Sequence, residues 1–143
     1  MTDTVSTQMT LAQRRDAVLA IHQAAADEDW DAVLAAYDPE IVWINDPGAG
    51  PWAGRFEGID AVAKMFGEYL EFLGGTFTQE VLDVCVSDDR SMSFVVERGS
   101  KGGHDYENRG VWISRYANGL VVEVITVDLD RDQALDFWAA VTA

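Results

Sequence analysis

Hydrophobic positions change their period along the chain. In the first half they recur mainly at helical spacing, and from Phe77 onward they alternate. Leu11, Val18, Ile21 and Ala25 form one stripe, with His22 on it, and predict a helix running to about Asp27. Thr10 and Gln13 fit a capping box at its start. Asp29 fits the cap of a second, short helix whose Trp30, Val33, Leu34 and Tyr37 face inward. Asp38-Pro39-Glu40 reads as a turn into a strand, Ile41–Pro47, and a glycine-rich loop from Gly48 to Gly58 follows it. Val62, Phe66, Tyr69 and Leu73 predict a third helix over Ile59–Leu73, stopped by Gly74-Gly75.

Strands are predicted over Phe77–Val86, Ser91–Arg98, Tyr106–Tyr116 and Leu120–Leu129. Ser87–Arg90 reads as a turn, Ala117-Asn118-Gly119 as a tight hairpin, and Gly99–Asp105 as a loop carrying a solvated His104. A last helix runs through Ala134, Leu135, Phe137 and Trp138, capped by Asp130 or Asp132. Helices followed by a run of antiparallel strands mean an α+β fold. The twist of such a sheet curves it strongly, and helices over its concave face leave a cone with an apolar pocket. Residues 1–9 are expected to be a flexible N-terminal tail and residues 10–143 a single domain.

Composition narrows the partners. The formal net charge is −15, which disfavours nucleic acid and anionic membrane surfaces. Met1–Thr10 has no basic start and no apolar run, and no stretch approaches membrane-spanning length, so a cytoplasmic protein is expected. Cys85 is the single cysteine, and His22 and His104 are the only histidines, so neither an intrachain disulfide nor a zinc centre is expected.

The strand Ile41–Pro47 carries the first candidate for chemistry. Alternation groups Val42, Ile44 and Asp46 on one face and Ile41, Trp43 and Asn45 on the other. An aspartate at the apolar end of a strand can have a raised pKa, the property of a general base. The same residues also fit a solvated turn, because Asp-Pro is a common turn former. His22 fits either a hydrogen-bonded core residue or a catalyst. In the last strand Val122, Val124, Thr126 and Asp128 share a face, and Asp128 could meet Asp46 across the mouth of the cone. It also fits an acid at the entry of the last helix. Asn108, Trp112 and Ser114 alternate together toward the pocket. A one-residue slip would replace them with Arg109, Val111 and Ile113.

The element order resembles the nuclear transport factor 2-like superfamily over about residues 11–140. That group includes ketosteroid isomerase, limonene-type epoxide hydrolases and SnoaL-like polyketide cyclases. The carriers are Asp29–Tyr37, the Ile41–Pro47 strand, the Gly58–Tyr69 helix and the stretch Tyr116–Glu123. The resemblance puts Asp46-Pro47 where ketosteroid isomerase has its Asp-Pro base. It puts His22 where that enzyme has an oxyanion-binding tyrosine, and Val111 and Trp112 near its second oxyanion donor, an acid. SnoaL-like cyclases carry an acid/base aspartate at the position of Thr126. Arg98-Gly99-Ser100 keeps the arginine of the epoxide hydrolases' Arg-x-Asp and lacks the acid.

The expectation is a small enzyme of secondary metabolism that needs no cofactor or metal. It would catalyse proton transfer (isomerisation, cyclisation or dehydration) on an apolar carbonyl-bearing substrate. Asp46 is the expected base, with His22 holding the enolate oxygen and Asp128 returning the proton. Tyr37, Trp52, Phe66, Tyr69, Asn108, Trp112, Val124 and Thr126 are the expected substrate-binding residues. Two alternatives stay open: epoxide opening by Asp46 with Asp128, and a binding or assembly protein without chemistry. The outer sheet face, with Ile125 and Val127, is apolar enough to expect a homodimer.

Overall fold

The computed structural model describes residues 9–142. The tail expected over residues 1–9 therefore lies outside the described residues except for Met9. The elements are α1 (Leu11–Ala26), α2 (Trp30–Ala35), β1 (Tyr37–Asn45), a 3-10 turn (Pro47–Trp52), β2 (Gly54–Glu57) and α3 (Ile59–Phe72). They continue as β3 (Thr78–Val86), β4 (Arg90–Lys101), β5 (His104–Ala117), β6 (Leu120–Asp128) and α4 (Arg131–Thr142).

The strands form one six-stranded sheet in the order β2-β1-β6-β5-β4-β3. All neighbours are antiparallel except β1 and β6, which run parallel. The α+β class expected from the sequence is the observed one. The capping box at Thr10 and Gln13 is formed, with bonds of 2.9 and 3.1 Å in the two directions. Asp29 caps α2 by accepting the Ala32 N–H.

Three boundaries differ from expectation. β1 starts at Tyr37, so Asp38-Pro39-Glu40 is strand, not turn. Pro39 is tolerated there because its segment of β1 has no ladder pairing between Tyr37 and Val42. The loop after β1 contains the 3-10 turn and β2, which pairs Gly54–Glu57 back onto Val42–Asn45. The Gly99–Asp105 loop shrinks to a tight turn, because Lys101 pairs with His104 across Gly102-Gly103, both at positive φ. A bulge between Val81 and Asp83 also breaks the alternation of β3 and leaves Leu82 exposed.

Helices α1 and α3 and the end of α4 lie on the concave side. The main core joins Val18, Val33, Ile41, Trp43, Val62, Met65, Val121 and Val124. A second cluster, Leu73, Tyr106, Ala134, Phe137 and Trp138, closes the end of the sheet. Trp138 donates its indole N–H to the Gly48 carbonyl at 2.7 Å, tying α4 to the 3-10 turn.

Candidate functional site

A cavity of about 620 Å³ lies between the concave sheet face and the helices. Its walls are aromatic: Trp30, Trp43, Trp52, Phe66, Phe77 and Trp112 all reach it. Trp43 packs edge-on against both Phe66 and Trp112, so the wall is set by interlocked rings rather than single side chains. Tyr37, Trp52, Phe66, Tyr69, Trp112 and Thr126, expected to bind substrate, are on this wall. Asn108 and Val124 are fully buried behind it. The even register of β5 is the one formed, since Arg109 points outward and pairs with Asp130.

From β1 the wall takes Tyr37, Trp43 and Asn45, and not Asp46 just beyond its end. Alternation along β1 holds, but the face turned inward is the opposite of the one carrying Asp46. Asp46 is instead buried at 6 % exposure in a network of its own. Arg131 holds both its oxygens at 2.7 and 2.6 Å, and the backbone N–H groups of Gly48 and Asp128 donate to it at 2.9 and 3.2 Å. Burial pushes its pKa up, but the Arg131 pair and the two N–H groups outweigh burial and leave it below the usual aspartate range. The raised pKa expected for Asp46 is therefore not produced: the sequence could not reveal that Arg131, 85 positions away, comes to meet it.

His22 lies on the cavity wall with its pKa lowered by burial, against an opposing hydrogen bond to Gln79. It is neutral. Its Nδ1 is 2.9 Å from Gln79 Oε1 and its Nε2 is 2.9 Å from Ser93 Oγ. Both ring nitrogens are thus engaged by the protein.

Asp128 does reach the cavity. Asn108 donates to its Oδ1 at 2.9 Å. Burial is the main reason its pKa is raised; Asn108 and Arg131 pull it down, and the Asp46 charge pushes it further up. Beside it is a carboxyl that sequence reasoning missed. Glu97 of β4 lines the cavity at 9 % exposure. Burial, reinforced by the Asp128 charge and weakly opposed by the Trp112 indole, pushes its pKa up to about 7. Tyr106 was missed as well. It stands with Tyr69 on the same wall, and burial raises both phenols well above their ordinary range, so both keep their protons at neutral pH.

A signal for Glu97 existed in the sequence. A two-residue Gly102-Gly103 turn sets Glu97 opposite Asn108 and Ser93 opposite Trp112. Directly opposed residues share a face, so an inward Asn108 carries Glu97 inward. Reading residues 99–105 as a long loop removed that register.

Space around Asp128 is tight. A Cβ on Gly48 would overlap its Oδ2 carboxylate oxygen, so any larger residue there must displace that carboxylate. A Cβ on Gly50 would overlap the Trp138 ring, and Gly50 also sits at φ +61°. Among the described residues no group of three His, Cys, Asp or Glu is placed to hold a metal ion. Chemically, the arrangement offers one carboxyl, Glu97, pushed up to about 7, a second, Asp128, raised by burial, phenols that stay protonated, and an aromatic wall.

The fold and this cavity define a class. The profile of the SnoaL-like domain matches residues 18–124, and the chain belongs to that family, within the nuclear transport factor 2-like superfamily. Solved structures agree on the fold. Bal32a, from a soil-derived mobile gene cassette, is 24 % identical with a TM-score of 0.83, covering 90 % of this chain and 98 % of its own. A Xanthomonas campestris protein of unknown function with a cystatin-like fold is 26 % identical with a TM-score of 0.79, covering 86 % and 95 %. TerC, co-crystallised with polyporic acid, is 18 % identical with a TM-score of 0.76, covering 87 % and 96 %. No curated protein matches the chain.

Proposed function

We propose that this SnoaL-like protein is a small enzyme that moves protons on an apolar carbonyl-bearing substrate, in an isomerisation, cyclisation or dehydration. The observation that carries this reading is Asp128: a carboxylate on an aromatic cavity wall, raised by burial and fixed by Asn108. A base poised nearer the operating pH both accepts and returns a proton efficiently. Asp128 abstracts the proton α to the substrate carbonyl and delivers it back at product. The oxygen that gains charge is held by the protonated phenol pair of Tyr69 and Tyr106. Asp46, first expected as base, takes a positioning role, because its carboxylate accepts the Asp128 backbone N–H. His22 fixes the wall through Gln79 and Ser93. TerC, a protein of this fold, was co-crystallised with polyporic acid, which supports a small-molecule ligand.

The outer sheet face supports a homodimer. Ile44, Ile125, Ile113 and Met92 lie in one row across β1, β6, β5 and β4, and Val127 sits beside Val111 in the next.

Deuterium uptake from heavy water into a panel of enolisable polycyclic and terpenoid ketones tests the reaction. Wild type is expected to exchange the α-protons of those that bind, and Asp128→Asn to lose at least about a hundredfold in rate. Binding without exchange would leave a ligand-binding role and overturn the enzymatic reading.

A further inference from the structure

Glu97 has a nearly complete burial and an incomplete set of partners. It is 9 % exposed, yet the sole hydrogen bond it accepts among the described residues is a long one, 3.4 Å from the Trp112 indole N–H to Oε1. Its Oε2 accepts none there, and it is not among the side-chain atoms fully sealed from solvent without a partner, so it opens to the cavity. Among the described residues Asp128 has one side-chain donor, Asn108 on Oδ1, while its Oδ2 packs against Gly48. A buried carboxylate left in this state lacks the donors that would compensate its desolvation. None of the described residues lining the cavity is Lys or Arg, and the guanidinium of Arg131 gives its hydrogen bonds to Asp46 and reaches Asp128 only through its charge. Two further acids, Glu28 and Glu71, line the same cavity. Four tryptophans, Trp30, Trp43, Trp52 and Trp112, line the same cavity as these acids, and indole is the ring that attracts a desolvated cation most strongly.

We infer that the ligand of this cavity carries a protonated amine on an aromatic or polycyclic apolar skeleton, with the ammonium seated at Glu97 and Asp128. This rests on the functional reading above and names its substrate class. An ammonium supplies the donors that Oε2 of Glu97 lacks, and its positive charge offsets the repulsion that Asp128 exerts on Glu97. A carboxylate ligand would meet four acids and no cation.

Binding of three matched probes tests it: anthracenylmethylamine, anthracenylmethanol and anthracenecarboxylate, titrated by quenching of the tryptophan fluorescence. High ionic strength is used so that the −15 net charge does not by itself favour the amine. The amine is expected to bind roughly tenfold or more tighter than the alcohol, and the carboxylate weakest. Glu97→Gln is expected to abolish the amine's advantage while leaving alcohol binding in place. Asp128→Asn tests the same pairing without touching Glu97 and is expected to shrink the advantage. An amine no tighter than the alcohol, or an advantage unchanged in both variants, overturns the inference. The two readings fail separately. Exchange of neutral ketones without amine preference sinks this one alone. Glu97-dependent amine binding without exchange on any enolisable compound sinks the catalytic reading alone.

Discussion

Two aspartates at opposite ends of the chain exchange roles once their neighbours are known. Asp46 accepts four hydrogen bonds and is held ionised, while Asp128 accepts one side-chain bond and faces an apolar cavity. Ion pairing of Asp46 contributes stability that is fully present above the ordinary aspartate pKa. It is lost as pH falls through the lowered folded value. Asp46→Asn is expected to cost about 2 kcal/mol at neutral pH, kept modest because Arg131 is half exposed, and to flatten the acid limb of a denaturation profile. Glu97 acts with the opposite sign. A raised folded pKa contributes stability below the unfolded value that is lost as pH rises through the folded one. Between the ordinary value of 4.5 and about 7, native stability therefore falls, because the unfolded chain gives up the Glu97 proton while the folded one retains it. Glu97→Gln is expected to be more stable than wild type above pH 7, by up to about 3 kcal/mol, with the gain vanishing near pH 4. Urea titrations at several pH values read both effects.

At the scale of elements, the site is assembled where β1, the 3-10 turn, β6 and α4 meet. Gly48 allows the turn to approach Asp128, and Trp138 locks the turn to α4. Gly48→Ala is expected to keep the fold, to cost about 1–3 kcal/mol by overpacking, and to displace the Asp128 carboxylate. Proton exchange should then fall more than tenfold while the circular dichroism spectrum stays unchanged. The helices and the meander of β3 to β6 were legible from period and caps alone, because amphipathic spacing and Asp29 or Thr10 act locally. β2 was not, since Gly54–Glu57 becomes a strand only by pairing with β1. Glu97 was hidden for a related reason. In β4 the inward positions are Ser91, Ser93, Val95 and Glu97, and the outward ones include Met92 and Phe94. The apolar side chains thus mark the wrong face, because His22 makes Ser93 a welcome inward residue.

For the whole molecule, the curved sheet leaves two surfaces with different tasks. The concave one holds the acidic cavity and the convex one the apolar row of Ile44, Ile113, Ile125 and Met92. If that row is a dimer face, Ile113→Lys is expected to convert a dimer to a monomer in analytical ultracentrifugation, with the cavity still able to bind. A sheet face could be read from alternation, but its partner could not. For the cavity, periodicity grouped Tyr37, Phe66, Tyr69 and Trp112, while Trp52 came from the loop after β1 and the inward face of Thr126 from the family resemblance; all six line it. Which carboxylate serves as base depended on contacts between β1 and α4 and between β4 and β5 that no local pattern encodes.

Carboxyl carbon NMR across a pH titration, with the signals of Asp46, Glu97 and Asp128 assigned through single variants, tests the division of labour among these acids most directly. The account predicts Glu97 titrating near 7, Asp128 above the ordinary aspartate range and Asp46 below it. An Asp46 that titrates above its ordinary range, with Glu97 and Asp128 at theirs, would contradict it and return the base to β1.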